Sequence, residues 1–218
     1  MTRLAVFDCD GTLIDSQLSI CLAMEAALAR SGIAALPRAN ICRIVGLSLV
    51  EAVAQLLPDA GPDLHAHVAA DYKRVFQGLR ANWQIDEPLF DGIADLLTQL
   101  ADDGWLLGVA TGKSDRGLAL ALDHHGLSGH FVTLQTADRH PSKPHPSMVT
   151  TAMADARANP ADTVVIGDTS FDIAMALNAG TRAVGVAWGY HDTADLVCAG
   201  AHAIARRPSD LVGLLEAV

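Results

Sequence analysis

The chain of 218 residues is long enough for one core domain of about 150 residues with a smaller attached unit. Its formal net charge of −10 disfavours long-range attraction to nucleic acid or to anionic lipid, so neither is expected as a partner. Hydrophobic residues make up 50% of the chain and the mean hydropathy is +0.27. No apolar run approaches the roughly 20 residues of a membrane span, so this apolar content is assigned to a buried core.

The N-terminus and the cysteines indicate the compartment. Only a short apolar run precedes the first acid, Asp8, whereas a secretory signal has a longer apolar region. The four cysteines show neither C-x-x-C spacing nor a regular framework, which favours reduced thiols over disulfides or a zinc site. We therefore expect a cytoplasmic location.

Short apolar runs alternate with helix-like segments along most of the chain. The runs predict strands at residues 2–7, 105–110, 131–135, 163–166 and 182–187. The segments between them predict helices at residues 92–101, 114–125, 146–157 and 171–178. This alternation predicts an α/β fold with a doubly wound parallel sheet.

One stretch after the first strand contains helix-like segments only. Its predicted helices cover residues 17–30, 48–57 and 62–81, and Gly32, Pro58 and Pro62 mark their ends or starts. We therefore expect a small all-helical unit that rejoins the sheet near Pro88. The predicted boundaries are 16–83 for this unit, and 1–15 with 84–218 for the core.

The first strand ends in the motif Asp8-Cys9-Asp10-Gly11-Thr12. Two carboxylates two residues apart at a strand end can bind a divalent cation, or can divide the roles of nucleophile and acid/base. The same D-x-D-G pattern is also common in turns without any chemical role. Because ligands of parallel sheets bind beyond the carboxyl ends of the strands, the residues that close the later strands bear on this choice.

Three later motifs place polar residues at or just past those strand ends. Thr111 and Gly112 either present a hydroxyl and backbone N–H groups to a phosphate oxygen, or begin a helix that Thr111 caps. Lys143, beside prolines, is either a fixed cation for phosphate and carboxylate or a solvated surface residue. Asp168 and Asp172 either face one metal ion or form a helix cap with a surface partner. Ligands with oxygen atoms only would favour Mg²⁺ over zinc.

In their order and positions, these four motifs resemble those of the haloacid dehalogenase-like hydrolase superfamily. The resemblance covers nearly the whole chain and is closest in kind to the phosphoglycolate phosphatase branch with a helical cap. It implies a Rossmann-like core. It also implies that the all-helical unit is the cap, whose segment 42–48 is lowered toward the active site.

The resemblance also implies a role for each motif residue. Asp8 would be the nucleophile and Asp10 the general acid/base. The ligands of Mg²⁺ would be the side chains of Asp8 and Asp168 and the backbone carbonyl of Asp10, with Asp172 supporting the metal through its water shell. The residues that bind phosphate would be Thr111, Gly112 and Lys143.

The predicted function is a Mg²⁺-dependent phosphatase that hydrolyses a small phosphate monoester, such as a phosphoglycolate-like compound or a sugar phosphate, through an aspartyl-phosphate. The expected partner is a small phosphorylated metabolite, and the expected assembly is a monomer or homodimer. One alternative is a phosphomutase of the β-phosphoglucomutase type, which uses the same aspartates. Another is a non-catalytic phosphate-responsive binding module, which the presence of Asp8, Asp10 and Lys143 disfavours. Dehalogenation is disfavoured because the dehalogenases of the superfamily lack the acid at Asp10 and need no metal.

Overall fold

The computed structural model describes residues 2–82 and 86–217. Within these residues, a six-stranded parallel sheet has the order β3-β2-β1-β4-β5-β6. Its strands are β1 (Arg3–Phe7), β2 (Trp105–Thr111), β3 (Thr133–Thr136), β4 (Thr163–Gly167), β5 (Arg182–Val186) and β6 (Ala203–Ala205). The predicted α/β fold with a doubly wound parallel sheet is confirmed.

Helices cover both faces of the sheet, because side chains of a strand point alternately to opposite sides. In β1, Ala5 and Phe7 enter one hydrophobic cluster, whereas Leu4 and Val6 enter another. The helices from residue 93 onward are α5 (Ile93–Asp102), which precedes β2, and then α6 (Asp115–His124), α7 (Ser147–Ala156), α8 (Ser170–Asn178), α9 (Thr193–Cys198) and α10 (Asp210–Ala217). A 3-10 turn covers Pro160–Asp162. Helix α9, strand β6 and helix α10 were not predicted from the sequence.

Among the residues that the structure describes between β1 and α5 there are four helices, and we call residues 17–81 the helical insertion. They are α1 (Gln17–Arg30), α2 (Arg38–Cys42), α3 (Leu49–Leu56) and α4 (Pro62–Ala81). The five-residue helix α2 was not predicted. The insertion has a hydrophobic cluster of its own, and the partly buried Phe171 and Tyr190 of the core pack against it.

The two chain connections of the insertion run side by side. The backbone N–H of Asp15 donates a hydrogen bond of 2.8 Å to the carbonyl of Pro88, close to the predicted point of return. The predicted boundary between residues 83 and 84 lies outside the described residues. No described helix is both long and apolar enough to cross a membrane.

Candidate active site

Three of the predicted carboxylates form a buried cluster at the carboxyl edge of the sheet. Since β1 pairs with β4, Asp8 and Asp168 leave neighbouring strands, and the N–H of Asp8 donates to the carbonyl of Ile166 at 2.9 Å. Asp172 joins them from the first turn of α8. Each of Asp8, Asp168 and Asp172 offers an oxygen, and these oxygens lie within 4.8 Å of one another. All three side chains are buried, so this is an interior cluster of negative charge.

Lys143 supplies the positive charge of this cluster. Its Nζ atom lies 2.9 Å from Oδ1 of Asp8 and donates a hydrogen bond of 2.6 Å to Oδ1 of Asp172. The residue is only 2% exposed, so the alternative of a solvated surface lysine is wrong. Burial by itself would lower the pKa of Lys143, but Asp172 and Asp8 raise this pKa above its usual value. The two carboxylates therefore favour the charged form of Lys143 beside Asp8.

Hydrogen bonds fix two of the carboxylates. Asp168 accepts from Oγ1 of Thr12 at 2.8 Å and from the N–H of Tyr190 at 2.9 Å. Asp172 accepts from the N–H and the hydroxyl of Thr169, which is the N-cap of α8, and the two residues form a capping box. Asp168 is thus not the helix cap that the alternative interpretation required, and its side chain remains directed into the cluster.

The carboxylate of Asp8 has fewer hydrogen-bond donors around it than the other two carboxylates of the cluster. Lys143 is close, but neither oxygen of Asp8 accepts a hydrogen bond of good geometry from any described residue. Burial raises the pKa of Asp8 to about 7, and the charges of Asp172 and Asp10 add to the effect, whereas Lys143 opposes it. Burial, Asp172 and Asp8 likewise raise the pKa of Asp168 well above its usual range. Unsatisfied carboxylate oxygens in an oxygen-only cluster fit a divalent cation such as Mg²⁺.

Asp10 faces away from this cluster. Gly11 follows it at a φ of +83°, and a Cβ atom at that position would collide with the carboxylate of Asp168. Glycine therefore allows the tight turn directly after Asp10, where a side chain would meet Asp168. The carboxylate of Asp10 accepts a hydrogen bond from the hydroxyl of Ser16, and its Oδ1 lies 2.8 Å from Nζ of Lys113.

Lys113 lies at the candidate site, although no role for it was predicted from the sequence. Besides Asp10, its Nζ atom contacts Glu87 at 3.4 Å, and Glu87 in turn pairs with Arg80 of α4 at 2.6 Å. Burial alone would lower the pKa of Lys113, but Asp10 and Glu87 raise it well above its usual value. A series of ion pairs thus connects Arg80 of the helical insertion, through Glu87 and Lys113, with Asp10. The only signal in the sequence was a lysine directly after Gly112.

Thr111 and Gly112 lie at the end of β2 beside the insertion. Thr111 is buried and does not cap α6, because Ser114 is the N-cap and its Oγ accepts from the N–H of Gly117 at 3.1 Å. A Cβ atom on Gly112 would lie 2.5 Å from the carbonyl oxygen of Leu47, so the insertion rests directly on this glycine. The hydroxyl of Ser142 also accepts a hydrogen bond from the N–H of Ser48, at 2.8 Å. Segment 42–48 therefore lies against the loops that carry the predicted phosphate-binding residues.

A cleft of about 780 Å³ opens between the insertion and α6. Asp10, Gly112 and Lys113 line it, together with residues of α1, α3, α4 and α6. Arg43 does not line this cleft; its side chain is 67% exposed and approaches Asp195 at 3.9 Å.

Comparisons with known proteins agree with this architecture. The family model described as "Haloacid dehalogenase-like hydrolase" matches residues 5–186. A relative named "Probable phosphatase IndB", from Dickeya dadantii, is 35% identical over 221 residues, which cover 100% of this chain and 95% of the relative. A phosphoglycolate phosphatase of Yersinia pestis is 29% identical over 87% of this chain and 82% of its own length. A solved structure described as a predicted phosphatase from Clostridium acetobutylicum has a TM-score of 0.89 and 25% identity, with 100% of both chains covered. These matches show that the chain belongs to the haloacid dehalogenase-like hydrolase family.

Proposed function

We propose that this protein is a Mg²⁺-dependent phosphatase that transfers the phosphoryl group of a phosphate monoester to Asp8 and then to water. The observation that carries the proposal is the placement of Asp8. It is buried, its oxygens accept no hydrogen bond of good geometry from the described residues, and it faces both the cation of Lys143 and two further carboxylates. The relatives that are named as phosphatases support the same reaction class.

Asp8 would act as the nucleophile. One of its oxygens forms a bond to phosphorus while the bond from phosphorus to the ester oxygen breaks. A carboxylate and a phosphate dianion repel each other, and Lys143, 2.9 Å from Asp8, offsets this repulsion and stabilises the charge of the group in transfer. Asp8 and Asp168 are the side chains proposed to hold Mg²⁺, with the carbonyl of Asp10 as a further ligand and Asp172 in support. When bound, Mg²⁺ would supply Lewis-acid stabilisation of phosphoryl oxygens.

Asp10 would act as the general acid and then as the general base. In the first step it gives a proton to the leaving alcohol oxygen, and in the second it takes a proton from the water that attacks the aspartyl-phosphate. Ser16 and Lys113 hold its carboxylate on the side of the cleft, where the leaving alcohol would lie. Thr111 and Gly112 would bind the phosphoryl oxygens. In this proposal residues 16–83 are the cap, and residues 1–15 with 84–218 are the core.

Trapping of the intermediate tests this division of roles. Asp10→Asn keeps the nucleophile but loses the base of the second step, so acetyl phosphate, whose leaving group needs little protonation, should leave the variant phosphorylated. Peptide mapping after borohydride reduction should place the label on Asp8. Asp8→Asn should give no phosphoprotein, while the exposed-site control Asp123→Asn should behave as the wild type. Label on another residue, or on the Asp8→Asn protein, would refute the mechanism.

Release of inorganic phosphate separates the alternatives. A phosphatase should release phosphate at the rate at which the alcohol appears, and dialysis against a chelator should abolish this release until Mg²⁺ is restored. A phosphomutase would instead return the phosphoryl group to a sugar phosphate, and a binding module would release nothing. Undiminished turnover in the metal-free protein would contradict the proposed use of Mg²⁺.

A further inference from the structure

The cleft beside Asp10 is large for a two-carbon substrate. Its volume of about 780 Å³ falls in the range of sites that hold ligands of drug size, which span about 300–1,000 Å³. Because Asp10 and Gly112 line it, the cleft adjoins the place where, in the proposed function, the ester oxygen of a substrate would lie. The alcohol part of the substrate must therefore occupy it.

Aromatic side chains of α4 form the wall next to Asp10. Tyr72 and Phe76, one helical turn apart, stack with their ring centroids 5.6 Å from each other. The ring centroid of Phe76 lies 5.9 Å from Nζ of Lys113, the same atom that lies 2.8 Å from Asp10. An aromatic surface thus lies close to the proposed general acid.

The rest of the wall is largely apolar. Its aliphatic members from the insertion and from α6 include Ile44, Val45, Leu47, Leu49, Val50 and Leu120. Val50 is 49% exposed and Leu120 is 41% exposed, although both are large apolar side chains. They belong to opposite sides of the cleft, α3 and α6, so an apolar ligand between them would cover both.

Several polar side chains of the cleft already have partners within the protein. Lys113 and Arg80 pair with acids, as described above. The hydroxyl of Ser114 caps α6, and Asp138 accepts a hydrogen bond of 2.9 Å from the N–H of Asp115. Each hydroxyl of a buried sugar would need a polar partner of its own. Lys73, Gln77 and Arg116 also line the cleft, and all three are exposed. Because Lys113 and Arg80, near Asp10, are engaged, an apolar alcohol is favoured over a sugar beside the ester oxygen.

We infer that the substrate of the phosphatase proposed above is a phosphate monoester whose alcohol carries an apolar ring close to the ester oxygen. The ring would lie against Phe76 and Tyr72, under Val50 and Leu120. This inference rests on the proposed function, and it deepens that function by naming the substrate class. Phosphoglycolate would fill little of the cleft and would be a poor substrate.

Benzyl phosphate and ethyl phosphate form a matched pair of probes, because both release a primary alcohol and differ in the ring. Burial of one ring of this size predicts a kcat/KM at least about tenfold higher for benzyl phosphate. Equal values for the two esters, or a higher value for ethyl phosphate or phosphoglycolate, would overturn the inference while leaving the phosphatase proposal intact. Failure to hydrolyse these esters and acetyl phosphate would refute the proposed function and, with it, the inference.

Variants assign the preference to the cleft. Phe76→Ala should lower the ratio of the two kcat/KM values toward one, and Leu120→Ala should lower it by a smaller factor. Leu18→Ala is the matched control, since Leu18 is another exposed leucine of a helix, 52% exposed, and does not line the cleft. If Phe76→Ala does not fold, Leu120→Ala still decides. An equal ratio in Leu120→Ala and the wild type, or an equal loss in Leu18→Ala, would overturn the inference.

Discussion

Replacement of Lys143 by methionine would remove the cation of the buried cluster while nearly conserving the side-chain volume. Lys143 is 2% exposed and contacts two carboxylates, at 2.9 and 2.6 Å. In the metal-free protein the variant leaves Asp8 and Asp172 without this counter-charge. Removal of one partner from a buried ion pair costs about 3–5 kcal/mol. The free energy of unfolding of a domain is typically about 5–15 kcal/mol, so the Lys143→Met variant should lose a large part of it.

The loss should depend on pH, because protonation of the carboxylates replaces the missing charge. Burial holds the pKa of Asp8 near 7 even though Lys143 lowers it, so this pKa should rise further in the variant. Between the ordinary and the raised pKa, the folded variant binds more protons than the unfolded chain, so its stability falls as the pH rises. We therefore expect a larger deficit near about pH 8 than near about pH 5.

Urea unfolding in the presence of a chelator measures this deficit. With a slope of about 2 kcal/mol per M, the midpoint of Lys143→Met should fall by about 2 M near neutral pH. Lys73→Met is the control, because Lys73 is an exposed lysine and its replacement should leave the midpoint within about 0.3 M of the wild type. An equally small shift for Lys143→Met would refute the view that this lysine compensates the buried carboxylates.

Three further predictions concern the acid, the insertion and the metal. Lys113→Met should lower kcat/KM about tenfold or more for an alkyl phosphate but less for acetyl phosphate, because Asp10, the proposed general acid, loses the contact that holds its carboxylate toward the cleft. Lys113→Arg should restore part of the rate. Equal losses with both substrates would contradict the role of Lys113 in holding Asp10. Gly112→Ala should raise KM and lower kcat in a folded protein, since its Cβ would lie 2.5 Å from a carbonyl of the insertion. The control Gly129→Ala should have no effect on the kinetics, because no atom of a described residue lies within contact distance of a Cβ at Gly129. Unchanged kinetics in Gly112→Ala would contradict the close contact between Gly112 and the carbonyl of Leu47. Addition of Mg²⁺ should raise Tm, and the rise should be smaller near about pH 6 than near about pH 8. The reason is that Asp8, with a pKa near 7, must lose its proton before a cation binds. If calorimetry shows a rise in Tm that is independent of pH, Asp8 is not a ligand of the metal.

The parts of the fold that could be predicted are those with a strong local pattern. Strands buried on both faces are continuous apolar runs, and residues 4–7 of β1 and 163–167 of β4 are all buried. The strand β6 has only three residues, Ala203–Ala205, and α2 has only five, so neither gives a periodic signal.

Some residues of the candidate site could likewise be predicted from the sequence, and others could not. The convergence of Asp8 and Asp168 was predictable because both directly follow strands, and parallel strands end at one edge. For Lys143, the residues alone left open whether it is buried or solvated, and only the resemblance favoured a site role. The pairing of Lys113 with Glu87 spans 26 residues and depends on where the insertion returns to the core. Such long-range ion pairs have no pattern in the sequence.

The separate hydrophobic cluster of the helical insertion has a consequence for how such a protein can diverge. Its interior is built from residues of α1 to α4 and adjoining segments, whereas Phe7 and Cys9, the two chain neighbours of Asp8, belong to a cluster beside the sheet. Substitutions that reshape α3 and α4 therefore alter the walls of the cleft without disturbing the packing beneath Asp8. A lineage can in this way acquire a new substrate while its reaction chemistry stays constant.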